Sequence, residues 1–192
     1  KPVAILMPIC NEEAQTVLAR VAAMYLALER LNHRDAFRFY ILSDSLEAET
    51  WIAEEVLWNE MVRRLGAQNR IFYRHRTKNI ARKAGNIADF CTRWGSQHDY
   101  MVVFDADSLL TGETLIQLSR MAYLNPKAGI IQGMPALIGA GGLFARTQQF
   151  AVRLYGPVIG AGINFWHLGD GNYWGHNAII NVAAFTQCCG LP

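Results

Sequence analysis

Short runs of β-branched and other apolar residues alternate along this chain with longer stretches in which apolar residues recur every three or four positions. That alternation leaves few folds open. A strand buried on both faces reads as a continuous apolar run, and a helix lying on a sheet shows a 3.6-residue period, so the repetition predicts an α/β fold with a mostly parallel sheet flanked by crossover helices. Strands are expected at residues 3–7, 37–42, 71–73, 100–104, 129–133 and 178–182. A first helix is expected after Asn11 as its N-cap, with Glu12 and Glu13 in its positive first turn and Val17, Leu18, Val21, Met24, Tyr25 and Leu28 on its apolar face. A second is expected over 48–65, with Trp51, Ile52, Val56, Met61 and Leu65 at helical intervals and Gly66 as its stop. A basic segment, 74–83, leads through Gly85 and Asn86 into a helix ending near Trp94. Another helix covers 113–124, closed by Asn125 and Pro126. A helical stretch near 143–154, the glycine-rich residues 139–142 and the aromatic segment 165–174 read as site-building structure laid on the sheet.

At 192 residues, the chain is long enough for one hydrophobic core, and a single domain is expected. Its first residue is Lys1 and it opens like a strand rather than a signal peptide, so an excised piece of a longer protein is expected. A formal charge of +2, with basic and acidic residues interspersed, argues against a nucleic-acid partner. Cys10, Cys91, Cys188 and Cys189 have neither zinc-ligand spacing nor the pattern of a disulfide framework, which suits a reducing compartment. Residues 128–145 and 154–169 carry no charge at all, but proline, asparagine and glycine within them argue against spanning helices.

In an open α/β sheet, ligands bind beyond the carboxyl ends of the strands, and the polar residues of this sequence gather at those ends. Asp105 and Asp107 flank Ala106 after a buried apolar run. Carboxylates at i and i+2 on a turn can hold a hard cation, Mg²⁺ or Mn²⁺, against substrate phosphates; a solvated strand-end pair is an equal reading. Asp44 is placed either to accept from a nucleobase or ribose or to bond its own turn. Lys83, with Arg82, could meet phosphates where Gly85 admits close backbone approach, whereas Arg74, Arg76 and Lys78 read as a solvated face. Neither a Walker A pattern nor GxGxxG is present. Trp166, Tyr173 and Trp174, with His167, His176 and Asn177 and interrupting glycines, read as a sugar-facing wall.

Taken in order, Pro8 with Asn11 and Glu12, Asp44 after YILSDS, Lys83 through Asn86, and Asp105 through Asp107 resemble the processive membrane glycosyltransferases of family 2, to which cellulose and hyaluronan synthases belong. The longer strings PICNEE, GNIADFCTRWG, YMVVFDADS, NPKAGIIQ, QQFAVRLYGP and NYWGHNAII resemble the branch of that family that builds osmoregulated periplasmic glucans. The resemblance implies a GT-A fold at the cytoplasmic face of a bacterial inner membrane. The implied reaction transfers glucose from UDP-glucose, with inversion, to a growing β-1,2-linked glucan acceptor. It implies Asp44 and Glu12 at uridine, Lys83 at the diphosphate, Asp105 at the nucleotide and Asp107 at the metal. Pro8, Asn11 and Asn86 belong to the same donor-binding motifs. Gln132 and Pro135 match the Gln-x-x-Pro element near the acceptor path, and Gly175, His176 and Asn177 match the glycine-led element at the sugar pocket. Two expected parts are missing before Pro192: the acidic catalytic base with the Gln/Arg-x-x-Arg-Trp motif after it, and the transmembrane helices. Asp170 is the one late carboxylate, better suited to a glycine-rich loop than to the role of base, so this piece is expected to bind donor more readily than it turns over. The competing classes are another processive family 2 synthase, a metal-dependent sugar nucleotidyltransferase and a noncatalytic nucleotide-sugar sensor.

Overall fold

The run VAILMPI is buried at every position, as a strand covered on both faces must be. It forms β1 (Val3–Ile9) at the interior of a six-stranded sheet in a computed structural model that describes residues 1–171, 173, 175 and 177–189. The chain continues as α1 (Ala14–Arg30), β2 (Phe37–Ser43), α2 (Ala48–Leu65), β3 (Ile71–His75), α3 (Arg82–Trp94), β4 (Tyr100–Val103) and α4 (Gly112–Leu124). It closes with β5 (Ile130–Gln132), α5 (Leu143–His167), β6 (Ala178–Asn181) and α6 (Val182–Cys188). The strand order is β3-β2-β1-β4-β6-β5. Strands β3, β2, β1 and β4 are parallel neighbours, while β6 runs antiparallel to both β4 and β5. The fold is therefore the expected α/β arrangement with a mostly parallel sheet.

Alternation along β1 sorts its side chains into two layers. Val3, Ile5 and Met7 face a core shared with α1 and α4, whereas Ala4 and Leu6 face the layer built by α3 and α6. All six apolar positions expected on α1 are buried. At about 1.5 to 3 kcal/mol for each large side chain removed from water, that face contributes far more than helix propensity does. Gly66 ends α2 in the left-handed conformation (φ 60°), where a residue without Cβ carries no steric cost.

Several boundaries differ from the sequence reading. Helix α1 starts at Ala14 after Glu13, whose carboxylate accepts from the Thr16 hydroxyl, so Asn11 is not its cap and no acidic residue lies in its first turn. On α2, Ile52 and Val56 are exposed, while Glu54 and Val62 are buried. Strand β3 extends to His75, which pairs in register with Ser43. Strand β6 stops at Asn181, whose side chain accepts from Ala184 N at 2.9 Å and starts α6. The helical stretch near 143–154 continues as α5 through Pro157 to His167. Among the described residues no helix is long and apolar enough to cross a membrane.

Candidate functional site

Four parallel strands end along one edge of the sheet, and the loops that leave them wall a cleft of about 780 Å³. A cleft of that volume is within the range of small-molecule sites, about 300 to 1,000 Å³. Backbone bonds from Asp44 N to Ile9 O (2.8 Å) and from Arg76 N to Ser43 O (2.9 Å) carry the ladder past the strand ends, so the first loop residues are held as firmly as the strands.

Asp44 leaves β2 almost wholly buried, with 3% of its surface exposed. Arg76, just beyond β3, donates to both of its carboxylate oxygens, Nε to Oδ1 at 2.8 Å and Nη2 to Oδ2 at 2.7 Å. The same guanidinium donates to Ile80 O and Arg82 O, both at 3.1 Å, and so ties the end of β2 to the turn that opens α3. In that turn Ala81 and Arg82 adopt φ of 57° and 47°, a conformation that costs energy for residues with a Cβ and persists only where the surroundings fix it. Gly85 is required just after it, because a Cβ there would come within 2.0 Å of Ile80 O. Arg74 points inward as well: its Nη2 donates to Asn86 Oδ1 at 2.6 Å and makes an ion pair with Asp89 at 3.2 Å. Arg74 and Arg76 are thus structural cations rather than a solvated face. Burial pulls the Arg74 pKa down, against the neighbouring carboxylates of Asp89 and Asp44, which raise it.

Lys83, in the first turn of α3, forms an ion pair with Asp105, and both side chains are partly exposed in the cleft. After β4, Ser108 N donates to Asp105 O at 2.9 Å to close the Asp105–Ala106–Asp107 turn, and Arg20 of α1 donates to Ala106 O at 2.6 Å to brace it. Asp107 is exposed to solvent at the cleft wall. The Tyr173 phenol has its pKa pushed up to about 12, first by burial and then by the Asp105 carboxylate. The two aspartates offer hard carboxylate oxygens from one turn, a donor set that fits Mg²⁺ or Mn²⁺. Among the described residues no cluster of three or more His, Cys, Asp or Glu side chains gathers in metal-binding fashion.

Of the residues singled out in the sequence, Pro8, Glu12, Asp44, Lys83, Asn86, Asp105 and Asp107 line this one cleft. Asn86 does so with its amide already engaged, donating to Leu42 O at 2.9 Å and accepting from Arg74, so it frames the wall. Asn11 adjoins the cleft in a left-handed conformation (φ 66°). The later residues do not converge in the same way. Gln132 ends β5, and Gly133 N donates to Asn177 O at 3.1 Å, which sets Asn177 beside it. Pro135 lies in an apolar groove against α5, Trp166 is 80% exposed on that helix, and Asp170 follows it outside the cleft lining. Trp174, His176 and Pro192 lie outside the described residues. Arg20, Glu54 and Arg76 were not singled out for the site. No sequence signal marks Arg76, whose place beside Asp44 follows from the pairing of β3 with β2.

The sequence profile of glycosyl transferase family 2 matches residues 4–188. Over 98% of its length the chain is 50% identical to glucans biosynthesis glucosyltransferase H of Dickeya dadantii (strain 3937) and 48% identical to that of Escherichia coli (strain K12). It spans 22% of the length of each of these relatives. Among solved structures, S. aureus TarS 1-349 superposes with a TM-score of 0.57 at 11% identity, covering 97% of this chain and 49% of that one. That likeness is one of fold, the GT-A fold of glycosyltransferases. With the profile matching nearly the whole chain, and with relatives at half identity over the same span, the chain belongs to glycosyl transferase family 2.

Proposed function

We propose that the chain is the donor-binding domain of an inverting glucosyltransferase, which moves glucose from UDP-glucose onto a growing β-1,2-glucan backbone of the osmoregulated periplasmic glucans. The observation that carries this reading is the convergence of Glu12, Asp44, Lys83, Asp105 and Asp107 in one cleft at the carboxyl edge of the parallel strands. The names of the relatives support the glucosyl and glucan parts. In this reading the uridine lies at the Glu12 and Asp44 end. The diphosphate lies over the N-terminus of α3, where helix-end N–H groups and the Lys83 ammonium favour negative charge. Asp105 and Asp107 would hold Mg²⁺ or Mn²⁺, completed by phosphate and water oxygens, and the ion would offset charge on the departing UDP. The glucosyl group then lies toward Gln132, Gly175 and Asn177. An acidic base outside the cleft lining takes the acceptor proton as the acceptor oxygen attacks the anomeric carbon. We place that base, and the attachment to the cytoplasmic face of the bacterial inner membrane, in the greater part of the enzyme that the relatives possess.

Calorimetric titration of UDP and UDP-glucose, in Mn²⁺ and then in chelator, tests the reading. Binding is expected to depend on the metal, and Asp107→Ala is expected to weaken UDP at least about tenfold in Mn²⁺ while leaving little difference between Mn²⁺ and chelator. Affinity that ignores both the substitution and the chelator would sink the metal-bridged site.

A further inference from the structure

Glu54 belongs to the middle of α2, and its surface is 1% exposed although α2 lies at the outside of the sheet. A carboxyl group is costly to bury unless its oxygens are hydrogen-bonded, and a leucine of similar size would occupy the position without that cost. Both oxygens have partners from elsewhere in the chain. Ser45 Oγ donates to Oε1 at 2.6 Å, and Tyr73 of β3 donates through its hydroxyl to Oε2 at 3.0 Å. The bond from Ser45 fixes the direction of its hydroxyl hydrogen and leaves the lone pairs facing away from Glu54. Asn11 N donates to that same Ser45 oxygen at 2.9 Å. Asn11, held at φ 66°, accepts in return from Leu46 N at 3.3 Å through its side-chain Oδ1. The loop leaving β1 and the loop leaving β2 are therefore laced by two crossing bonds, and the lacing is anchored behind the cleft by one carboxylate on α2. Glu12 follows Asn11 directly and Asp44 precedes Ser45 directly.

We propose that Glu54 is a positioning residue for the nucleoside end of the donor cleft: through Ser45 it fixes the left-handed turn at Asn11 and so sets the distance between the Glu12 and Asp44 walls. The proposal rests on the donor-site reading above. A purely structural Glu54 would lower stability when replaced and leave the affinity of the folded protein for nucleotide alone. A positioning Glu54 acts on the cleft itself, because without the anchor the two loops must be reordered each time a nucleotide binds, and the cost of that ordering appears in affinity.

The experiment uses the complete gene product that contains this chain, with UDP as probe. In Glu54→Leu we expect UDP to bind about tenfold more weakly, with KM for UDP-glucose rising in parallel and kcat at saturating donor within about twofold. Glu54→Gln keeps an acceptor for one of the two hydroxyls and is expected to recover to within about threefold of the parent. Amide hydrogen exchange at Asn11 and Leu46, read without nucleotide, should be faster in Glu54→Leu and near the parental rate in Glu54→Gln. If Glu54→Leu does not fold, Ser45→Ala removes the same link while leaving the Glu54–Tyr73 bond, and it should shift affinity and exchange in the same direction. Unchanged affinity and unchanged exchange in a folded variant would overturn the proposal. If the parent fails to bind UDP at all, the donor reading falls; accelerated exchange at Asn11 and Leu46 would then still support the lacing role, and unchanged exchange would remove that too.

Discussion

The cleft half of the molecule and the helix α5 invert the usual relation between residue type and burial. Around the cleft, Asp44, Ser45, Glu54 and Asn86 are each 3% exposed or less, and each has named hydrogen-bond partners. Along α5 and just past its end, Leu143, Phe144, Val158, Phe165, Trp166 and Leu168 are 70–87% exposed. Residues 133–169 carry only two formal charges, Arg146 and Arg153. Burial here follows partners rather than side-chain hydrophobicity. A carboxylate is kept inside where two hydroxyls meet it, and a phenylalanine stays outside where, among the described residues, no other element closes over it. The cleft wall consequently owes its rigidity to contacts within this chain, whereas α5 is held along one narrow line, where Met134 packs against Gly156 and Gly160.

That contrast can be broken by measurement. Phe90, fully buried on the inner face of α3 and set edge-on to Tyr40 at 4.8 Å, anchors the helix whose first turn carries Lys83. Phe90→Ala should cost about 4 kcal/mol in denaturant unfolding, and a loss below about 1 kcal/mol would mean that the cleft half is not held from within. Gly85→Ala drives a methyl group against a backbone carbonyl that the Arg76 bonds hold in place, so about 2 kcal/mol of stability should be lost, together with UDP affinity. A neutral result there would show that the turn before α3 can relax. At the other extreme, Val158→Ser on the outer face of α5 should change the unfolding free energy by no more than about 0.5 kcal/mol; a loss above about 1 kcal/mol would show that this face is covered, which would erase the difference between the two regions.

Much of the fold could be read in the sequence because the parallel strands are buried on both faces and their helices are stopped by local chemistry. The apolar face of α1 and the Gly66 end of α2 were both legible for that reason. Helix α2 was legible in its bounds and at Met61 and Leu65, which pack against the core, but misread at Ile52 and Val56, since counting apolar letters favoured them where the hydroxyls of Ser45 and Tyr73 ask for Glu54 instead. Asn11 looked like a cap because asparagine suits helix starts, but it suits left-handed turns equally well, and the neighbouring loop decides between them. Pro157, Asn164 and His167 of α5 read as breakers. The helix nonetheless runs through them, and Gly156 and Gly160 let Met134 approach its surface closely. That the polar residues at the strand ends would gather in one cleft was legible from the general rule for open sheets. The Arg76 and Glu54 links were not, since each joins segments whose proximity only the sheet order establishes.

That sheet order also bears on synthesis. Among the described residues strand β5 pairs only with β6, and β6, formed by residues 178–181, sits between β5 and β4. On a ribosome, β1 to β4 can dock as they emerge, each finding a parallel neighbour already made or soon to follow. Strand β5 must wait, emerging with no edge to join, until the chain through α5 has been synthesised and β6 slides in as the wedge between β4 and β5. The cleft beyond β1 to β4 can thus take shape while the far side of the sheet is still an open edge.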